Sequence, residues 1–131
     1  MKIINLALKT EFSFKQTYGY ADKIADGAEI AVGIADSNST YGHVTLEKAC
    51  KKNGIKPIFG VRLMVVADAT LKGRARYHGP EYIFLAKNSD GLKEIYALVE
   101  LAYKQFHYWP RIDIDDISTI YLGVLYAPIH V

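Results

Sequence analysis

The sequence contains a single cysteine, Cys50, among 131 residues. One thiol excludes an internal disulfide and any CxxC metal motif, and a reducing compartment is its simplest setting. No apolar run approaches the ~18 residues that a membrane-spanning helix requires. The opening residues, Met1-Lys2-Ile3-Ile4-Asn5, lack the long apolar stretch and small-residue cleavage site of a secretory signal, so a cytoplasmic protein with no membrane partner is expected. Charge of one sign is scarce too. A net +2 is too little to argue nucleic-acid binding by itself, and the basic residues are dispersed except for Arg62, Lys72, Arg74 and Arg76. Gly33, Gly42, Gly54 and Gly60 form no GxGxxG phosphate loop. The histidines, His43, His78, His107 and His130, include no i, i+4 pair of the kind that holds a metal on a helix, and each is expected at the surface or in a turn. The chain shows no internal repeat and no low-complexity stretch.

What is present is ordinary globular composition, 50% apolar and 23% charged, enough for one domain with one core. Strand-like and helix-like segments alternate. Residues 2–8 (KIINLAL), 29–35 (EIAVGIA), 57–66 (PIFGVRLMVV), 81–87 (EYIFLAK) and 119–126 (TIYLGVLY) are short, apolar and rich in β-branched or aromatic residues, the mark of buried strands. Residues 20–28 form a short helical candidate. Ser39 or Thr40 is placed to cap a helix that runs to Asn53 and stops at Gly54, with Leu46, Ala49 and Cys50 on its apolar face; Cys50 is then an inert core thiol. Residues 67–79 read as a loop. A second helix opens at 88–91 and ends at Pro110, with Leu92, Ile95, Tyr96, Val99, Ala102, Tyr103 and Phe106 as its buried stripe, widened by Leu98 and Leu101. Residues 112–117 suit a short helical turn. Continuous apolar strands between helices argue for an α/β fold with a mainly parallel sheet.

Several side chains invite chemistry and also have a plainer reading. Asp36 ends a strand, the usual place for active groups in parallel α/β sheets; capping the following turn is preferred. Asp113, Asp115 and Asp116 could hold magnesium, but a solvated face at a helix start is preferred. Phe106, His107, Tyr108 and Trp109 could stack on bases; with no basic patch beside them, a core edge or protein contact is the better reading. Lys72, Arg74 and Arg76 suit either nucleic-acid contact or solvation, with solvation preferred.

Three ordered segments carry a resemblance: INLALKTEFSF at 4–14, AVGIADSNSTYG at 31–42 and GIKPIFGVRLMV at 54–65. They are followed by YIFLAKNSDGLKEIYALVELAY and PRIDIDDI. Together they resemble the PHP domain of the bacterial DNA polymerase III alpha family, in which a Gly-Ile-Lys-Pro-Ile-x-Gly run recurs. The resemblance covers nearly the whole chain. It implies that residues 1–131 form a partial PHP domain, the first half of a distorted (β/α) barrel whose open edges would leave apolar faces exposed.

Active members of that family resemble one another in a cluster of metals held by His, Asp, Glu and sometimes Cys. Such metals lower the pKa of a shared water and clamp a phosphate ester, which needs several donors converging on one point. At the matched positions this sequence carries Asn5 and Ala7 for the two histidines of the first strand and Lys9 for a third nearby. Gln16 stands near the next acid, Ser37 replaces a histidine, Arg62 a glutamate, and Glu81 a later histidine. The family's late cysteine falls near Pro128, and its final ligand pair would follow Val131. Only Glu81 retains a strong ligating group. The expectation is a degenerate site with no metal and no cofactor. Arg62 either pairs with Glu81 or Asp36, replacing the metal's charge, or is an exposed arginine at a strand end.

The resemblance therefore implies the N-terminal PHP-like segment of a replicative DNA polymerase III alpha-type protein, acting as a catalytically inactive scaffold. The parent family is a DNA-directed DNA polymerase, with its catalytic carboxylates in another domain. The partners implied are the rest of a polymerase or another replication protein, including a proofreading exonuclease. Two alternatives stand: a free-standing PHP-like protein that binds a replication component, and a residual metal-dependent phosphoesterase built on Asp36 and Glu81.

Overall fold

The computed structural model describes residues 4–13, 19–73, 79–120 and 123–129. The chain divides into two compact units, Met1–Val61 and Arg62–Val131, and each has its own packing.

In the first unit the centre is β1 (Ala31–Ser37), with residues 31–36 all buried. A strand covered on both faces needs this continuous apolar character, and AVGIA supplies it. On one side, Leu8 forms an isolated parallel bridge with Ile34. Gly33 N–H donates to Asn5 O at 2.7 Å, and Ala35 N–H donates to Leu8 O at 2.8 Å. The described part of 2–8 thus runs beside β1, but it forms a bridge rather than the full strand expected. The approach is close. A Cβ on Gly33 would lie 2.2 Å from Leu6 O, so only glycine lets the two backbones meet there.

On its other side β1 neighbours β2 (Lys56–Val66), where Lys56 N–H donates to Ile30 O at 3.0 Å. Helix α1 (His43–Asn53) packs on β1. It starts four residues after Ser39. Gly42 occupies the cap position, and no side chain caps the helix. The Ser39 hydroxyl is instead occupied locally, accepting from Tyr41 N–H at 3.1 Å. The stop is as expected, with Gly54 in the left-handed region at φ 67°. The segment 20–28 yields only a 3-10 turn at Ile24–Gly27. Ala25, Val32, Ile34, Leu46, Ala49, Cys50 and Ile55 form the core of this unit.

In the second unit the end of β2 pairs in parallel with β4 (Arg111–Asp113), in the register Met64↔Arg111, Val65↔Ile112, Val66↔Asp113. The end of β2 also neighbours β3 (Glu81–Ala86). β3 in turn pairs with β5 (Val124–Pro128), and that pairing is antiparallel. The last strand thus begins several residues later than 119–126 and runs against its neighbour. Helix α2 (Ser89–Lys104) packs on β3, β4 and β5. Asn88 caps it by accepting from Gly91 N–H at 2.8 Å, as its position before a periodic apolar run suggests.

The buried face of α2 is Gly91, Ile95, Leu98 and Ala102, a narrower stripe than the sequence pattern implies. Tyr96, Tyr103 and Phe106 are exposed. The tyrosines keep helical spacing because an aromatic ring can lie along a surface with its hydroxyl in water, so period alone overcounts burial. The helix ends at Lys104, well before Pro110. Tyr108, at φ 61°, reverses the chain so that His107 and Trp109 bridge. Residues 114–118 then form α3, an acid-capped turn. Phe84, Ile95, Ile112 and Leu63 are among the fully buried side chains, each stabilising by about 1.5–3 kcal/mol relative to exposure.

Candidate functional site

Asp36 lies at the end of β1 and is 1% exposed. Its Oδ1 accepts from Thr10 N–H and from Ser13 Oγ–H, each at 2.6 Å. Its Oδ2 accepts from Thr10 Oγ1–H, also at 2.6 Å. Ser13 Oγ accepts in turn from Ser37 N–H at 3.0 Å. A carboxylate removed from water must find such donors or lose several kcal/mol. Asp36 therefore fastens the 10–13 loop to β1 and does not cap the turn that follows it, contrary to the preferred expectation.

The matched ligand positions of the first unit do not suit a metal. Ala7 has no donor atom, Asn5 is exposed, Lys9 brings a cation, and Ser37 offers only a hydroxyl. Both Asp36 oxygens already accept two or one short hydrogen bonds. Among the described residues, these side chains do not fit the metal cluster of the fold family. Gln16 lies outside the described residues, as do Arg74, Arg76, His78 and His130.

In the second unit Arg62 is half-buried inside β2 rather than exposed at a strand end, and it has interactions of its own. Glu81 opens β3 half-buried, and its backbone oxygen accepts from Ile129 N–H at 2.9 Å. Asp36 and Glu81 belong to different units. The acidic triple is a helix cap: Asp113 accepts from Asp116 N–H at 3.0 Å, and Asp116 accepts from Asp113 N–H at 2.9 Å. This reciprocal arrangement satisfies two backbone donors at the start of α3. Among the described residues no group of three or more His, Cys, Asp or Glu side chains converges as a metal site would require. Phe106, Tyr108 and Trp109 of the aromatic run are exposed, and His107 is half-buried.

Two polar residues escaped the sequence reading. His43, expected at the surface, is 3% exposed. Its Nε2 lies 2.8 Å from Gly60 O and its ring centroid 5.2 Å from that of Phe59. Burial pushes its pKa below the ordinary histidine range, against weaker opposition from the Gly60 hydrogen bond and the Asp36 charge. The signal was available, since His43 shares the face of Leu46 and Cys50 at i, i+3 and i+7. Arg111, 6% exposed, is the other. Its Nη2 donates to Ala69 O at 2.8 Å and Leu71 O at 3.3 Å, and its Nε donates to Gln105 O at 3.1 Å. Nothing in the local pattern distinguishes a buried arginine from a solvated one.

No helix among the described residues is long and apolar enough to cross a membrane. Among known proteins, the DNA polymerase III alpha subunits of Chlamydia trachomatis and Borreliella burgdorferi are 34% and 35% identical over 72% of this chain, and each match covers 8% of the relative's length. That of Aquifex aeolicus is 30% identical over 86% of the chain and 11% of its own length. The chain thus spans about a tenth or less of these relatives. An amidohydrolase from Chromobacterium violaceum, solved with bound sulfate and no metal, aligns with a TM-score of 0.54 at 16% identity, over 77% of this chain and 33% of its own. At that identity the likeness concerns the fold, and it agrees with the α/β architecture. Residues 6–127 match the PHP domain, and the chain belongs to that family.

Proposed function

We propose that this chain is a PHP-domain segment of a replicative DNA polymerase III alpha-type protein, serving in the cytoplasm as a non-catalytic scaffold. The observation that carries the scaffold reading is the chemistry of the matched ligand positions. Ala7, Lys9 and Arg62 offer a divalent ion no lone pair or an opposing charge, and the strand-end acid Asp36 is spent on Thr10 and Ser13. A domain that keeps its framework while its ligand positions carry alanine and cations is suited to packing, not to hydrolysing phosphate esters. On this reading the partner is the remainder of a polymerase, with a proofreading exonuclease as a further contact.

The test is co-expression of the 131-residue chain with the cognate polymerase III alpha protein lacking its own PHP region. The reading expects co-elution of the two in gel filtration and recovery of polymerase solubility. Separate elution, with the polymerase equally soluble alone, contradicts it.

A further inference from the structure

In the second unit, a cleft of about 540 Å³ opens beside the carboxyl ends of β2 and β4. Val65, Leu71, Pro80, Tyr82 and Ile114 supply its apolar walls, and Asp68, His107 and Arg111 also line it. Its size falls within the range of small-molecule sites, which combine apolar walls with a few placed polar groups. The carboxyl ends of parallel strands are where such sites collect in α/β sheets.

Arg111 is the feature that gives the cleft a chemistry. A guanidinium has five N–H donors in a rigid planar fork. Three carbonyls hold this one by Nε and Nη2. Among the described residues none of its hydrogen bonds uses Nη1. The fork is thus held through Nε and Nη2 in a largely apolar wall. His107 Nε2 lies 2.7 Å from Gly73 O. Asp68 is exposed and bound to Thr70 through its Oδ1, and it places a negative charge at the rim. Among the described lining residues, one buried cation is accompanied by one rim anion, a balance that favours a ligand with a single negative charge over a dianion.

We propose that this cleft binds a small, flat, apolar molecule carrying one carboxylate, which Arg111 Nη1 receives while the apolar body lies against Leu71, Tyr82 and Ile114. The proposal concerns residues apart from the matched metal positions and does not depend on the scaffold reading.

The test titrates the isotope-labelled 131-residue chain at about pH 8, where phenylphosphonate is mainly a dianion, with 3-phenylpropionate, 3-phenylpropan-1-ol and phenylphosphonate, following backbone amide shifts. The expected result is saturable shifts at Val66, Asp68 and Leu71 with the carboxylate. The neutral alcohol and the dianion should bind about tenfold or more weakly, the size of one charge-assisted hydrogen bond. Arg111→Gln should remove the preference for the carboxylate over the alcohol. Because Arg111 also holds the 69–71 loop, Ile114→Glu serves as a second variant. Ile114 is exposed, so the fold should persist while the added carboxylate repels the ligand about tenfold. Equal binding of the alcohol and the carboxylate, tighter binding of phenylphosphonate, unchanged affinity in Ile114→Glu, or no saturable shift each overturns the proposal.

Discussion

Thr10 gives Asp36 two hydrogen bonds at once, one from its backbone N–H and one from its hydroxyl, each at 2.6 Å. Both residues are essentially buried. Replacing Thr10 with valine keeps the shape and the N–H but removes the donor to Oδ2. A buried charged acceptor left short costs about 1–3 kcal/mol or more. Thr10→Val should therefore lower the midpoint of urea unfolding by an amount equivalent to at least ~1 kcal/mol. An unchanged midpoint would show that Asp36 does not organise this loop.

Gly91 and Gly123 face each other where α2 begins. A Cβ on Gly91 would lie 1.8 Å from Gly123 O, a contact with backbone that no side-chain rotation relieves. Gly91→Ala should destabilise by about 3 kcal/mol or more, as overpacking at a rigid contact does. Gly27 has nothing within 4 Å of an added Cβ, and Gly27→Ala should fall within about 1 kcal/mol of the parent in either direction. Thermal melts of the two variants side by side check the contrast.

His43 predicts a pH dependence with a definite sign. Its folded pKa is lowered by burial, so the unfolded chain takes up the proton first as pH falls. The stability that neutral His43 contributes is complete above the unfolded value of about 6.5. It declines as pH drops below that value and levels off once the folded pKa has been passed. Urea midpoints measured from pH 7.5 to 5 should fall more steeply for the parent than for His43→Gln. Parallel curves would remove His43 as the cause.

Asn88 and Asp113 cap α2 and α3 through Gly91 and Asp116. Asn88→Ala and Asp113→Ala should each cost about 0.5–2 kcal/mol. Asp113 Oδ2 also accepts from Ala69 N–H at 3.3 Å, so Asp113→Ala should additionally shift the amide resonances of residues 69–71, whereas Asn88→Ala should leave them in place.

The sequence patterns that proved readable were those set by local physics. Gly54 needed a left-handed backbone, Asn88 preceded a periodic apolar run, and the unbroken AVGIA stretch required cover on both faces of β1. What escaped depended on the tertiary neighbourhood. The segment 2–8 has a strand's composition, yet its described part forms only an isolated bridge with β1, at Leu8. Asp36 could have capped its own turn, but Thr10 and Ser13, 26 and 23 residues away, claimed it first. Tyr96 and Tyr103 kept helical spacing while staying wet. Arg111 was buried by carbonyls from 40 and 42 residues away, a distance over which no local pattern operates. The family motif was legible because Gly-Ile-Lys-Pro-Ile-Phe-Gly joins a helix stop to a strand start in one fixed run.

The most direct test of the scaffold account is metal stoichiometry measured together with hydrolysis. The 131-residue chain would be equilibrated with manganese and with zinc, its bound metal counted by mass spectrometry, and p-nitrophenyl phosphate turnover assayed on the same samples. The account predicts substoichiometric metal and turnover no faster than buffer. One or more tightly bound ions per chain, with hydrolysis abolished by Glu81→Ala, would contradict it.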